Sequence, residues 1–399
     1  MSNNQAFSLL CSMNTEQNEK RISLIIADWY EQHKRDLPWR QTRDPYKIWL
    51  SEIILQQTRV DQGLSYYLRF ISSYPDVFSL ARAGEDEVLK LWQGLGYYSR
   101  ARNMYKTASE IVSVHKGVFP GDYKSLLRLK GIGPYTAAAI ASFSYDQAYP
   151  VVDGNVIRVL SRIFNVDLAI YSSQAETLFN ELAWALLDKE NPARHNQAMM
   201  EFGALQCKPG QPDCINCPLR ELCLASSLGL VDKRPVRKPS LIRKKRCFNY
   251  LCLSDGRHTW LQQRKNKDIW QNLWEFPLFE TTALLEWPAM MTTLPELLSN
   301  RSEHSDRTEL LSDGSESADY LNNKASLSSV HNFNHILSHQ HIQARFFTVL
   351  IPEDLKTLPP EWTKLELRNI DKLAVSRLTE IYLENHLNEL DFNSNRIIR

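Results

Sequence analysis

The sequence predicts a two-domain protein, in which an all-helical domain is followed by a smaller domain of mixed α/β structure. A chain of 399 residues exceeds the usual size of one domain. From residue 22 to residue 228, apolar residues recur every three or four positions, as they do in amphipathic helices. After residue 246 the pattern changes to short runs rich in β-branched and aromatic residues, which are typical of strands.

Glycine and proline separate the predicted elements in both halves of the chain. In the first half we predict helices over residues 46–58, 63–70, 85–92, 99–115, 123–129, 135–143 and 155–164. In the second half we predict strands over residues 247–253, 259–263 and 344–351, and a helix over residues 370–385.

Segments with few apolar residues define the expected domain boundaries. Residues 232–246 carry eight basic residues, two prolines and one acidic residue, which predicts an exposed, extended linker. Residues 299–326 are rich in Ser, Asp, Glu and Asn, which predicts a mobile insertion. We therefore expect an N-terminal tail over residues 1–19, a helical domain over 20–231 and an α/β domain over 247–388.

Charge is distributed unevenly along the chain. Residues 1–246 contain 32 basic and 25 acidic side chains, whereas the remainder contains 15 basic and 21 acidic ones. A basic first domain suits a polyanionic partner, and ordinary solvated surface charge explains the same numbers equally well. No apolar run approaches the roughly 18 residues of a membrane span, and the N-terminus lacks a charged-then-apolar leader. We therefore expect an intracellular protein.

Four of the seven cysteines lie close together near the end of the helical region: Cys207, Cys214, Cys217 and Cys223. This density predicts a metal site, because packing does not require it. The odd cysteine count and the missing leader argue against disulfides. Only Cys214 and Cys217 form the short pair that is common in zinc sites. The uneven spacing suits a [4Fe–4S] cluster slightly better, and spacing alone leaves both metals open.

A glycine hairpin lies between two predicted helices in residues 129–136, where Gly131 and Gly133 permit a tight turn. Backbone N–H groups after such a turn point outward at a helix N-terminus and can bind a phosphate without reading base sequence. The motif is short, so a plain interhelical turn explains it equally well on its own. The flanking helices and the downstream cysteine loop favour a DNA-binding helix-hairpin-helix motif.

Two carboxylates stand out by their surroundings. Glu52 lies on a predicted helix with Trp49 and Ile53 beside it, and burial there would raise its pKa. An acid that stays protonated near neutral pH can donate a proton to a leaving group. A solvated helix face explains Glu52 equally well from the pattern alone. Asp153 precedes a glycine and a helical run, so helix N-capping is its simpler role.

Several motifs together resemble the helix-hairpin-helix DNA glycosylases and, among them, the adenine-specific MutY family. The resemblance covers residues 20–280 well and residues 330–386 more loosely. The motifs are the hairpin, the four-cysteine loop, Val-Asp-Gly-Asn-Val at 152–156, Leu-Pro-Trp-Arg at 37–40, Trp-Leu-Ser-Glu at 49–52, Leu-Gln-Gln-Thr at 55–58 and Gly-Leu-Gly-Tyr-Tyr-Ser-Arg at 94–100.

The resemblance implies a base excision repair enzyme, and we expect the protein to be a monomer. Such an enzyme flips adenine from an A·8-oxoguanine or A·G mispair in double-stranded DNA and hydrolyses its N-glycosidic bond, leaving an abasic site. The resemblance also implies a [4Fe–4S] cluster on the four cysteines. It makes Glu52 the acid that protonates adenine N7 and Asp153 the ionised carboxylate that stabilises an oxocarbenium-like sugar, as in glycoside hydrolysis. Asn155 would support Asp153.

Tyr135 occupies the hairpin position at which the endonuclease III relatives have a lysine. The amine of that lysine forms a Schiff base with the sugar and cuts the strand, whereas a phenol cannot form an imine. Lys130 is a nearby amine, but it lies on the other side of the glycine turn. The sequence therefore predicts a monofunctional glycosylase.

Further residues match family positions that contact DNA. Arg40, Leu55 and Gln197 match positions that line the adenine pocket. Gln57 and Tyr97 match residues that wedge into the duplex where the base leaves the stack. A core aromatic is the simpler role for Tyr97.

The second domain resembles the MutT-like (Nudix) domain of the same family. It lacks the Glu-rich hydrolase box, so it is expected to read DNA rather than hydrolyse nucleotides. Residues 335–339 align with the family turn that meets 8-oxoguanine; Ser338 and His339 are retained, whereas Leu337 replaces an aromatic residue that would offer a stacking face. A β-turn with a surface histidine explains the same segment without a DNA contact.

Two other functions stay open at this point. One is an endonuclease III-like lyase or mismatch-specific glycosylase of the same superfamily, against which Glu52 and the absence of a lysine at position 135 speak. The other is a non-enzymatic iron–sulfur DNA-binding protein, which has no use for a glutamate in an apolar helix.

Overall fold

The structure, a computed structural model, describes residues 15–237, 243–292, 325–353 and 358–391. Two compact units make up the chain. The first combines Met1–Arg82 with Asn103–Ser240, and the second combines Ala83–Arg102 with Leu241–Arg399. The prediction of a helical region followed by a mixed α/β region is confirmed.

The helices of the first half run in chain order, and α5 with the start of α6 belongs to the second unit. They are α1 (Thr15–His33), α2 (Pro45–Leu55), α3 (Val60–Ser73), α4 (Val77–Arg82), α5 (Glu85–Trp92), α6 (Ser99–Ser113), α7 (Tyr123–Leu126), α8 (Pro134–Tyr145), α9 (Gly154–Ile163), α10 (Ser173–Leu186), α11 (Pro192–Leu205) and α12 (Leu224–Ser227).

Local sequence explains where the two helices that matter for the site begin. Pro134 opens α8 directly after Gly133, and proline suits the first position because its missing N–H has no helical partner. Asp153 caps α9 by accepting from the backbone N–H groups of Asn155 and Val156. An apolar cluster around Leu160, Phe179 and Phe202 packs α9 against its neighbours, so the start of α9 is held by a rigid core.

The second unit is built on a mixed sheet. Its strands are β1 (Lys244–Ser254), β2 (His258–Gln263), β3 (Trp274–Glu275), β4 (Leu278–Thr281), β5 (Ser326–Ile336), β6 (Gln340–Leu350) and β7 (Thr363–Glu366), and a helix α13 (Arg377–Leu390) follows. The order is β3-β2-β1-β6-β5, with β4 paired to β1 and β7 paired to β2. Strands β1 and β6 are parallel, whereas β5 and β6 form an antiparallel hairpin.

The segment Ala83–Arg102 belongs to the second unit although it is distant in sequence from the rest of that unit. The side-chain amide of Gln93, just after α5, donates to Glu380 Oε1 over 2.6 Å, and Lys90 Nζ donates to the carbonyl of Leu373 over 3.1 Å. Arg102 Nη1 likewise donates to the carbonyl of Gln271 over 2.8 Å. Nothing in the local pattern of α5 distinguishes it from the helices of the first unit.

The structure corrects some predicted elements. The predicted helix over residues 370–385 begins too early, because a 3-10 turn occupies Leu367–Lys372 and Ser376 caps α13. Strand β5 was not predicted at all; its residues alternate between exposed and half-buried, so the apolar signal is weak. Helix α1 already includes residues 15–19 of the expected tail.

Two expected segments lie only partly within the described residues. Strand β1 begins inside the expected linker 232–246, at Lys244. Of the expected insertion over residues 299–326, all but the last two residues lie outside the described part of the chain. Among the described residues, no helix is long and apolar enough to cross a lipid bilayer.

Candidate active site

A cavity of about 150 Å³ in the helical unit is lined by residues from α2, α8, α9 and α11. Seven of the residues singled out from the sequence meet there: Arg40, Glu52, Leu55, Tyr135, Asp153, Asn155 and Gln197. Segments that are far apart in the sequence therefore converge on one small, partly apolar space, which is typical of a small-molecule or base-binding pocket.

Glu52 is held in the wall of this cavity with only 5% of its surface exposed. The hydroxyl of Tyr135 donates a hydrogen bond to Glu52 Oε2 over 2.5 Å. Burial raises the pKa of Glu52 to about 7, and the hydrogen bond from Tyr135 opposes that rise. Since Oε2 accepts the hydrogen bond from the phenol, the proton of the neutral acid belongs on Oε1.

Tyr135 is positioned by the glycine hairpin. Gly131 has a φ of +77°, and a Cβ there would lie 2.7 Å from the Cβ of Asn103, so this position requires glycine. Tyr135 follows Gly133 at the start of α8. Burial raises the pKa of its phenol well above 10, so it stays neutral and acts as a donor.

Asp153 combines a capping role with a place in the cavity. Its Oδ1 accepts from the backbone N–H groups of Asn155 (2.8 Å) and Val156 (2.7 Å), and its Oδ2 accepts from the Asn155 amide (2.7 Å). Burial raises the pKa of Asp153, and these three hydrogen bonds oppose that rise because they favour the carboxylate. The helix N-cap and the predicted catalytic role therefore coincide in one side chain.

Asn155 is itself fixed from α9. Arg158 Nη2 donates to Asn155 Oδ1 over 2.8 Å and to the carbonyl of Gly203 over 2.7 Å, while its Nε donates to the carbonyl of Cys207 over 2.8 Å. Gly203 is needed for this arrangement, because a Cβ there would lie 2.7 Å from the Asn155 Cβ.

A buried ion-pair cluster that the sequence analysis missed closes one side of the cavity. Glu201 on α11 accepts from Arg40 (2.9 and 2.7 Å) and from the guanidinium of Arg35 (2.9 and 2.6 Å). Although burial disfavours the charged carboxylate, the two arginines lower the pKa of Glu201 to about 2. The sequence contains a signal that could have identified Glu201, because an acidic residue lies within the apolar run 198–203. The same kind of signal identified Glu52.

Gln197 is oriented by a second residue that the sequence analysis did not identify. The hydroxyl of Tyr30 donates to Gln197 Oε1 over 2.9 Å, and the Arg40 guanidinium lies 5.8 Å from the Tyr30 ring centroid. Gln57, in contrast, is not among the residues that line the cavity. It is exposed and has a φ of +56°, a strained conformation of the kind often found at functional positions.

The four-cysteine loop lies beside α9. Arg162 Nη1 lies 3.3 Å from Cys207 Sγ, and the Cys223 thiol lies 3.4 Å from the carbonyl of Arg162. All four cysteines are free thiols of intermediate burial. Burial raises the pKa of Cys217 to about 11, with smaller contributions in the same direction from the three other cysteines, so the four thiols lie close enough to interact.

The second unit contains the remaining predicted residues. Tyr97 has 48% of its surface exposed and a φ of +48°, so the simpler role of a core aromatic does not apply. Its hydroxyl lies 2.5 Å from Ser338 Oγ. Ser338 and His339 are exposed in the turn between β5 and β6, whereas Leu337 is half-buried and packs against the core of this unit.

Two family models match this chain, one in each half. A family model described as the HhH-GPD superfamily of base excision DNA repair proteins matches residues 50–183, and a NUDIX domain model matches residues 249–385. A solved structure of a thermostable thymine-DNA glycosylase is 28% identical, with a TM-score of 0.49, and covers 54% of this chain and 99% of its own.

Curated relatives carry one activity in their names. The adenine DNA glycosylase of Buchnera aphidicola subsp. Acyrthosiphon pisum is 34% identical over 65% of this chain and 74% of its own length. The human adenine DNA glycosylase is 42% identical over 50% of this chain and 38% of its own length. The chain therefore belongs to the adenine DNA glycosylase family of base excision repair proteins.

Proposed function

We propose that this chain removes adenine from A·8-oxoguanine and A·G mispairs by acid-assisted hydrolysis, with Glu52 as the general acid and Asp153 as the stabilising carboxylate. The observation that carries the proposal is the position of Glu52, which is buried in the wall of a cavity that Asp153 also lines. This burial raises the pKa of Glu52 to about 7. Two carboxyl groups with different hydrogen-bond partners can divide the acid and the electrostatic roles between them.

Each residue has a defined part in the reaction. Glu52 delivers the proton on Oε1 to adenine N7, which lets adenine leave with the electrons of the glycosidic bond. The developing positive charge on the sugar is stabilised by the carboxylate of Asp153, which Asn155 and Val156 hold in place. Water then adds at C1′, and the proton that it releases restores the acid form of Glu52.

Tyr135 supports hydrolysis without strand cleavage. Its buried phenol stays neutral, donates to Glu52 and offers no amine for a Schiff base. We therefore expect free adenine and an abasic site as the products, without strand cleavage and with no covalent adduct after borohydride treatment.

The four cysteines are suited to a [4Fe–4S] cluster. The four cysteines come from one short loop, and their uneven spacing suits a [4Fe–4S] cluster better than a zinc site, which usually has two short cysteine pairs. When bound, the cluster would neutralise the thiolates and tie the loop to α9. Iron and sulfide analysis tests this: zinc at one equivalent without a broad visible absorbance contradicts it.

The β5–β6 turn is the proposed reader of the base opposite adenine. Ser338 and His339 are both exposed. Their side chains offer hydrogen-bonding groups that would fit 8-oxoguanine better than guanine. Leu337 packs against the core of the second unit, so it contributes little stacking in this conformation. Exchange of Ser338 and His339 for alanine should reduce the preference for 8-oxoguanine, and exchange of Leu337 for alanine should affect it less.

One gel assay tests the proposed activity. Duplexes with adenine opposite 8-oxoguanine, guanine, cytosine or thymine are incubated with the enzyme and analysed with and without alkali. Cleavage only after alkali, and only opposite 8-oxoguanine and guanine, is the expected result. Strand breaks without alkali would indicate a lyase, and no cleavage at all would indicate a protein that binds DNA without acting on it.

A further inference from the structure

A cluster of two histidines and one glutamate lies in the second unit, between strand β5 and helix α13. His331 belongs to β5, whereas His386 and Glu389 lie one turn apart on α13. One donor atom of each side chain lies within 4.8 Å of the others. None of these residues takes part in the proposed adenine chemistry.

The two imidazoles share the same carboxylate. His331 Nε2 lies 2.9 Å from Glu389 Oε2, and His386 Nδ1 lies 2.8 Å from Glu389 Oε1. The rings are stacked with centroids 3.6 Å apart. Two nitrogens from adjacent elements therefore point toward one carboxylate, and a single cation between them would satisfy all three groups.

Ser329 adds a hydroxyl oxygen to the cluster. Its hydroxyl hydrogen-bonds to Glu389 Oε2 and lies 3.1 Å from His331 Nε2. The carboxylate of Glu389 therefore lies in contact with three polar side chains, those of Ser329, His331 and His386.

We propose that His331, His386 and Glu389 form a binding site for one divalent transition-metal ion of the zinc type. Two imidazoles and a carboxylate are a common ligand set for zinc, and imidazole ligands disfavour calcium and magnesium. Ser329 or a water molecule completes four-coordination. The side chains of His331, His386 and Glu389 are 25%, 20% and 28% exposed, which leaves a path for the ion to enter.

The surrounding residues are arranged to hold the ligands in place. The ring centroid of Tyr382 lies 5.4 Å from that of His386 and 6.2 Å from that of His331. The Tyr382 hydroxyl forms a hydrogen bond with Thr348 on β6. A bound ion would therefore connect the polar edge strand β5 to α13 and so stabilise the second unit.

Zinc binding to the full chain as purified tests the proposal. Titration with zinc chloride against a competing chelator, with the iron content measured before and after, should reveal one site in the wild type that leaves the iron in place. His331→Ala and His386→Ala should each lose this equivalent. His341→Ala is the matched control, because His341 is a histidine on neighbouring β6 outside the cluster and should bind zinc as the wild type does.

A second measurement separates ligation from folding. In NMR spectra of protein with ¹⁵N-labelled histidine, zinc should shift the resonances of His331 Nε2 and His386 Nδ1 and leave the ring resonances of His341 unchanged. The thermal midpoint should rise with zinc in the wild type and His341→Ala but not in the other two variants. Equal zinc affinity in the wild type and in a folded His386→Ala variant, or unshifted ring nitrogens, would mean that the cluster is only a hydrogen-bonded network.

Discussion

Removal of the Tyr135 hydroxyl would alter the acidity of Glu52 with little change in shape. The hydrogen bond from Tyr135 favours the ionised carboxylate, whereas burial favours the neutral acid and raises the pKa to about 7. Tyr135→Phe removes the group that favours ionisation and leaves the burial. The pKa of Glu52 should therefore rise in this variant.

The size of the change follows from the strength of the lost bond. A hydrogen bond to a charged group contributes roughly 1.5–3 kcal/mol, and about 1.4 kcal/mol corresponds to one pH unit in a pKa. In the pH–rate profile of adenine excision, the alkaline limb, where the rate falls as Glu52 loses its proton, should accordingly move to higher pH by about one to two pH units. Below that limb the rate should fall, because a weaker acid transfers its proton less readily and Oε1 is less well oriented.

Single-turnover adenine excision between about pH 5.5 and 9.5 measures this limb directly, since the proton transfer belongs to the chemical step. Glu52→Gln is the control. It lacks the titrating group, so it should show no excision activity and no alkaline limb in its pH–rate profile. Thermal melts establish that each variant is folded. If the alkaline limb of Tyr135→Phe stays in place or moves downward, Glu52 is not the acid whose titration controls the rate.

Three further predictions concern the buried carboxylates. Asp153→Asn should lose excision by at least 100-fold while a folded, DNA-binding protein is retained, as measured by single-turnover kinetics and gel shift; unfolding would instead indicate that only the helix cap matters. Glu201→Gln should destabilise the fold by about 3–5 kcal/mol, because Arg35 and Arg40 lose their buried partner; denaturant unfolding measures it. Burial raises the pKa of Glu52 from its ordinary value of 4.5 to about 7 in the folded protein, so the contribution of Glu52 to wild-type stability falls as the pH rises from 4.5 to about 7. Over this pH range the free energy of unfolding of Glu52→Gln should therefore increase by about 3 kcal/mol relative to that of the wild type. The same difference between the two proteins at both ends of the range would contradict burial of an ionisable Glu52.

The elements near the site could be predicted from local sequence because their limits have local causes. The helix predicted over residues 85–92 agrees with α5 at both ends, and Pro134 and Asp153 fix the starts of α8 and α9 within one residue of the prediction. Capping and proline effects act over a few positions, so a single sequence contains them.

Other features depend on contacts that a single sequence does not contain. Strand β5 has no fully buried residue and is stabilised by its register with β6, in which Ile336 pairs with His341. The assignment of Ala83–Arg102 to the second unit likewise depends on hydrogen bonds such as that from Gln93 to Glu380, which are 287 positions apart. Neither contact leaves a periodic signal in its own segment.

The contrast between Glu52 and Glu201 explains why the site could be predicted only in part. Both glutamates lie on apolar helical segments, and both are buried. The pKa is about 7 for Glu52 but about 2 for Glu201. The difference comes from partners distant in sequence: a neutral phenol 83 positions from Glu52, and guanidinium groups 161 and 166 positions from Glu201. An apolar neighbourhood therefore predicts that a carboxyl is unusual, and its tertiary partners decide whether it becomes a proton donor or a structural anion.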